Sequence, residues 1–149
     1  MDRNLAILIA EDSEDYALIL ENAIKSLGWK NPVRMVHDGK EVINYLSGEG
    51  PYADRAAYPF PSVMFVDIKM PQAGGFDVLR WIRDHPEQSV VPTMVLSTSD
   101  DDRDVQLAYE LGASAYMTKP ADLNELKAML QAAYEFWARC AKPKARNGK

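Results

Sequence analysis

Apolar residues recur along this chain in two alternating periods. Leu5 to Ala10 is an unbroken apolar run of strand length, and Glu14 to Leu27 then carries Ala17, Leu18, Leu20, Ile24 and Leu27 at helical spacing before closing on Gly28. Val33 to Val36 reads as a short strand, followed by Asp38-Gly39 and a helix whose Val42, Ile43 and Leu46 face inward. Val63 to Val66 is the third strand, and Phe76, Leu79, Trp81 and Ile82 mark a helix that ends before Pro86. Thr93 to Leu96 and Ala115 to Thr118 complete the strands. Between them lies a helix from about Asp102 to Leu111 stopped by Gly112, and Leu123 to Ala138 is the last helix.

Five strand-helix units in strict alternation predict an α/β domain, a parallel sheet covered on both faces by helices. Right-handed crossovers leave few topologies. The expected one is a flavodoxin-like (βα)5 doubly wound parallel sheet, a single domain with strand order 2-1-3-4-5. In such sheets ligands bind beyond the carboxyl ends of the strands. Polar residues stand at four of those ends: Glu11-Asp12 after strand 1, Asp67 after strand 3, Ser97 after strand 4 and Lys119 after strand 5. The stretch Gly48 to Phe60 exceeds the ~2–6 residues usual between helix and strand. At the amino end of strand 3, on the opposite side from the polar edge, it is expected to be a surface excursion or partner contact, with a plain loop as the default.

Composition narrows the function classes. The chain has 149 residues, 47% hydrophobic and 26% charged, enough for one core and short for two. One cysteine, Cys140, allows neither an internal disulfide nor a cysteine metal cluster, which suits a reducing, cytoplasmic setting. No apolar stretch reaches the ~20 residues that span a bilayer, and Met1-Asp2-Arg3-Asn4 does not open a signal peptide. Lys142, Lys144, Arg146 and Lys149 place four positive charges in the last nine residues, so the preceding 140 carry −9 of the net −5. Residues 1–140 are expected to form the domain, and 141–149 a basic, disordered tail. An acidic body is a poor match for nucleic acid, which selects basic stripes, and no membrane partner is expected.

The clustered groups suggest a chemistry. Glu11, Asp12 and Asp67 crowd like charges, and hard oxygen ligands of this kind suit Mg2+. Asp67 then reads as a carboxylate nucleophile forming an acyl phosphate, with Lys119 and the Ser97 hydroxyl as partners for two phosphoryl oxygens.

At these positions the sequence resembles the receiver domain of two-component response regulators, over roughly residues 5 to 138. The matching features are Glu11-Asp12, Asp67 in Asp67-Ile68-Lys69-Met70-Pro71 with Gly75 eight residues on, Ser97, and Lys119-Pro120. The resemblance implies phosphorylation at Asp67 by a sensor histidine kinase. It also implies Mg2+ held by Asp12, Asp67 and the backbone carbonyl of Lys69, with Glu11 acting indirectly. Ser97, Lys119 and Thr98 would meet the phosphoryl group, and Ser97 with Tyr116 would form a switch. Tyr116 fits a half-buried core tyrosine equally well. Pro120 is a candidate cis-proline that would aim Lys119. By the same resemblance, Lys69 and Ser99 correspond to sites that in the family influence hydrolysis of the acyl phosphate, and Thr98 is bulkier than the alanine or glycine often found at its place.

Other features have plainer readings. Glu14 and Asp15 suit the dipole of a first helical turn. Asp100, Asp101, Asp102 and Asp104 cap and solvate the fourth helix, and His37 and His85 read as surface residues beside turns. Leu126, Leu130, Ala133 and Trp137 form a core stripe on the last helix, which Met129, Tyr134 and Phe136 widen into a candidate partner or homodimer face with helix 4 and strand 5. Tyr134-Glu135-Phe136-Trp137 and the long loop resemble single-domain regulators of bacterial phytochrome kinases. With about ten residues after the last helix, output is expected through binding. A haloacid dehalogenase-like phosphohydrolase needs a second aspartate where Lys69 stands, and a flavodoxin-like binding module needs a Gly-rich phosphate loop where Glu11-Asp12 stand. A receiver-shaped module that is never phosphorylated is the remaining alternative.

Overall fold

The structure, a computed structural model, describes residues 6–87 and 90–141. Five strands, β1 (Ile7–Ala10), β2 (Val33–Val36), β3 (Val63–Val66), β4 (Thr93–Ser97) and β5 (Ala115–Thr118), alternate with five helices. These are α1 (Glu14–Leu27), α2 (Gly39–Ser47), α3 (Gly75–Asp84), α4 (Asp102–Glu110) and α5 (Leu123–Arg139). All strand pairs are parallel and the order is β2-β1-β3-β4-β5, as the alternation predicts. Leu5, the start of the expected first strand, and residues 142–149 of the expected disordered tail lie outside the described residues.

Four of the five helices, all but α3, begin where a side-chain acceptor meets a free N–H group. Ser13 accepts from Tyr16, Asp38 from Glu41, Asp101 from Arg103 and Asp122 from Asn124. Asp101 thus performs the capping expected of that acidic run. Gly28 ends α1 in the left-handed region at φ 73°, where a side chain would be strained.

Successive strand residues point to opposite faces. Ile7, Ile9, Phe65, Met94 and Leu96 pack against α1 and α5, whereas Leu8, Ala10, Met64 and Val66 pack against α2 and α3. Side chains on both faces of β1 and β3 are buried, which is why these strands read as unbroken apolar runs. Among the described residues no helix is long and apolar enough to cross a membrane.

Three expectations change. Leu18 does not face inward but is 58% exposed, because the buried stripe of α1 runs through Ala17, Leu20, Ala23 and Ile24 and the helical period puts Leu18 on the opposite side. Tyr134 and Met129 are not surplus apolar surface. Tyr134 is buried, stacked on Trp29 at 4.3 Å between ring centroids with its hydroxyl bonded to Asn31, and Met129 packs on the same core. Phe136 stays exposed.

The 48–60 excursion is ordered by its own contacts. It contains a 3-10 turn, Gly50–Tyr52, and the Arg55 guanidinium donates to the carbonyls of Tyr45 (2.7 Å), Leu46 (2.9 Å) and Tyr58 (3.3 Å). Arg55 therefore helps to close the end of α2, adding to the Gly48 N–H on the Tyr45 carbonyl and supplying a donor to the Leu46 carbonyl. Tyr45, Tyr52 and Tyr58 pack ring on ring, and the Tyr52 hydroxyl donates to Glu41 in the first turn of α2. The segment thus folds back along α2 instead of leaving the body.

Candidate functional site

Parallel register brings the chemistry together. Ala10 pairs with Val66, so Glu11-Asp12 and Asp67 leave adjacent strands side by side, and the Asp67 N–H donates to the Ala10 carbonyl. Ser97 pairs with Thr118, and the Lys119 N–H donates to the Ser97 carbonyl at 2.7 Å, holding the ends of β4 and β5 level. Strand order, not sequence distance, assembles the site.

Lys119 is its centre. Its ammonium lies 2.5 Å from Glu11 Oε1 and 2.8 Å from Asp67 Oδ2, and its side chain is only 7% exposed. Glu11 and Asp67 are also buried, while Asp12 beside them is exposed. One carboxylate oxygen from each of Glu11, Asp12 and Asp67 lies within 4.8 Å of the others, close enough to share one cation. Asp67 Oδ1 accepts from the Lys69 N–H at 3.2 Å, and Glu11 Oε2 from the Ser13 N–H at 3.0 Å.

The electrostatics follow from this packing. Burial pushes the Glu11 carboxyl above its usual range, although Lys119 and the Ser13 N–H act against the rise. Burial alone would lower the Lys119 ammonium, but hydrogen bonds to Asp67 and Glu11, with their charges, outweigh it and raise its pKa. The donor set suits a hard divalent ion, since all three side chains offer oxygen and Asp12 is open to solvent.

Close backbone packing supports Asp67. A Cβ on Gly75 would stand 2.6 Å from the Asp67 carbonyl oxygen and 2.8 Å from the Ile68 Cα, so only glycine fits there. The intervening loop carries Gln72 and Ala73 at φ 52° and 87°, and their carbonyls accept from Lys40 and Gly39 at the start of α2. The sequence motif through Gly75 is thus a packing requirement beneath Asp67.

A sequence model of the response regulator receiver domain matches residues 7–131. The chain belongs to this family. Among relatives, the response regulator Rcp1 of Synechocystis is 30% identical over 131 residues, covering 88% of this chain and 87% of that protein. The crystal structure of the phosphorylated cyanobacterial phytochrome response regulator RcpA superposes with a TM-score of 0.84 at 30% identity, covering 95% of this chain and 99% of that one. That of the Mn2+-bound form of the response regulator Rcp1 gives 0.81 at 28% identity, covering 94% and 99%.

As a receiver domain in two-component signalling, the chain is not a dedicated enzyme, and the phosphohydrolase and flavodoxin-module readings fall away. The remaining receiver positions can be placed individually. Ser97 is fully buried, and its hydroxyl accepts from the Ser99 N–H at 3.2 Å instead of bonding to Asp67 or Lys119. Thr98 is exposed. Tyr116 is half-buried, and its hydroxyl donates to the Ser99 carbonyl at 2.8 Å, while the Ser99 hydroxyl donates to Asp104.

One receiver expectation needs correction. The Lys119–Pro120 bond is trans, as is every peptide bond among the described residues. Lys119 nonetheless reaches both carboxylates, because the bond from its N–H to Ser97 already fixes its backbone.

Two neighbours of the site escaped the sequence reading. His37 is exposed as expected, yet its ring Nδ1 lies 3.2 Å from the Glu11 carbonyl oxygen. Tyr16 lies beneath Lys119, with its ring centroid 4.3 Å from the ammonium. Its place one helical turn before the buried Leu20 was the available signal.

Proposed function

We propose that this receiver domain, spanning residues 1–140, takes a phosphoryl group onto Asp67 from a phosphohistidine of a sensor histidine kinase in the cytoplasm, and signals by changing a protein interface. The observation that carries this reading is the Lys119 ammonium bridging Glu11 and Asp67 at the strand ends, with Asp12 alongside. An Asp67 carboxylate oxygen attacks phosphorus, the phosphorus–nitrogen bond breaks, and the donor imidazole keeps the electron pair. Lys119 exchanges its contact with Asp67 for one with a phosphoryl oxygen.

Asp12, Asp67 and the Lys69 carbonyl would hold Mg2+, with Glu11 acting indirectly. The ion supplies positive charge to the phosphoryl oxygens. Ser97 would turn its hydroxyl from the Ser99 N–H toward the phosphoryl group, and Thr98 would narrow access to it. Tyr116 would answer by leaving the Ser99 carbonyl, altering the surface of α4, β5 and α5, where the partner or a second copy binds. Slow hydrolysis of the acyl phosphate by this same site would reset it. The likeness to RcpA supports a bacterial phytochrome as the kinase.

The test is incubation with magnesium and acetyl phosphate. The wild type is expected to acquire an acid-stable, base-labile label and Asp67→Asn none. Equal labelling of the two overturns the assignment.

A further inference from the structure

The Lys119 ammonium has a neighbour besides its two carboxylates. It lies 4.3 Å from the centroid of the Tyr16 ring, in the first turn of α1. That ring packs against the core cluster shared by β1, β3 and α5, so it forms a fixed wall. The Tyr16 hydroxyl is buried and makes no hydrogen bond among the described residues. A buried hydroxyl without a partner is unfavourable, so hydrogen bonding does not account for the aromatic residue at this place. The ring face does. It carries partial negative charge, and its attraction for a cation is greatest where water is excluded, as it is around a lysine side chain 7% exposed.

A lysine ammonium on a four-carbon stem is a mobile point charge. In the structure two carboxylates hold it. Phosphoryl transfer consumes the negative charge of one of them, and a divalent ion competes for both. The Tyr16 ring is the one neighbour of the ammonium among these three whose attraction survives both events.

We propose that Tyr16 is a positioning residue, whose ring face holds the Lys119 ammonium beside Asp67 while the carboxylates engage the incoming groups. The inference rests on Asp67 being the phosphoryl acceptor. Tyr16 touches no reacting atom and acts through Lys119.

Fluorine on an aromatic ring withdraws electron density from its face with little change in size, so it separates this role from space filling. The protein would carry at position 16 phenylalanine, its mono-, di- and trifluorinated forms, or leucine. The readout is the rate of labelling by saturating acetyl phosphate with magnesium. Tyr16→Phe, which keeps the ring, is expected within about twofold of wild type, the fluorinated series to fall stepwise, and Tyr16→Leu to be slower by about fivefold or more. Because the phenylalanine series keeps one shape, it remains decisive if the leucine variant fails to fold. A flat series beside normal wild-type labelling overturns the role of Tyr16. Failure of the wild type itself to label overturns the acceptor reading, and this inference with it.

Discussion

The Lys119 ammonium sits 2.8 Å from Asp67 Oδ2, joining residues 52 positions apart in the chain. Removing it leaves the Glu11 and Asp67 carboxylates buried together without a counter-charge. Lys119→Met is expected to lower the unfolding free energy at neutral pH by about 3 kcal/mol. Added magnesium should restore much of it. Because the folded pKa of Lys119 is raised, its contribution is present below its usual value of 10.5 and lost as pH rises through the folded value. Urea titrations of both proteins check this, and equal midpoints at pH 7 would show that the bridge holds nothing.

Glu11 has the opposite functional charge but the same sign of linkage. Its folded pKa lies above 4.5, so its contribution is complete below that value and lost as pH rises through the folded one. In Glu11→Gln that loss is absent. The stability of the variant relative to wild type should therefore increase from pH 4.5 to 7. Parallel pH profiles would contradict the burial effect.

Asp12 is exposed and stands beside two buried acids, so it offers the open side of a cation site. A ligand at one hundred times its Kd stabilises a protein by about 2.7 kcal/mol. Magnesium is expected to shift the unfolding midpoint of the wild type, and Asp12→Asn to lose most of that shift at the same concentration. Calorimetric titration gives the affinities directly.

Gly75 lies under the backbone of Asp67. A Cβ there meets the backbone joining Asp67 to Ile68, which cannot turn away as a side chain would. Gly75→Ala is expected to cost about 2 kcal/mol and to slow labelling of Asp67 as the strand end shifts. Thermal unfolding and labelling rates should fall together. Labelling at the wild-type rate would mean that the displacement is absorbed elsewhere.

Arg55 tests the long excursion separately from the chemistry. Arg55→Ala leaves the Leu46 carbonyl without its guanidinium donor and the Tyr45 carbonyl with the Gly48 N–H alone, and should destabilise the protein by about 2 kcal/mol. Hydrogen exchange should quicken within residues 48–60. Unchanged exchange there would show that the tyrosine packing holds the segment unaided.

Much of this architecture was legible in one dimension. Apolar runs such as Leu5 to Ala10 and Val63 to Val66 could be read as strands because both faces of β1 and β3 are covered. Turn and cap residues such as Asp38, Asp101 and Gly28 marked the helix limits. Leu18 and Tyr134 were misassigned for one reason: apolar character does not say which way a side chain points. Tyr134 is buried because Trp29 and Asn31, over one hundred positions away, come to cover it. The cis bond expected at Pro120 failed similarly, since proline lowers the cost of that isomer without requiring it.

The order of residues by itself determined the strand-helix alternation, the acids at Glu11, Asp12 and Asp67, and the positions of Ser97 and Lys119 at strand ends. Those follow from local periodicity, which depends only on neighbours along the chain. The bridge from Lys119 to both acids, the ring of Tyr16 beneath it and the fold-back of Arg55 were decided by tertiary structure alone. Each depends on strand order, register and burial, which arise when segments distant in sequence exclude water together.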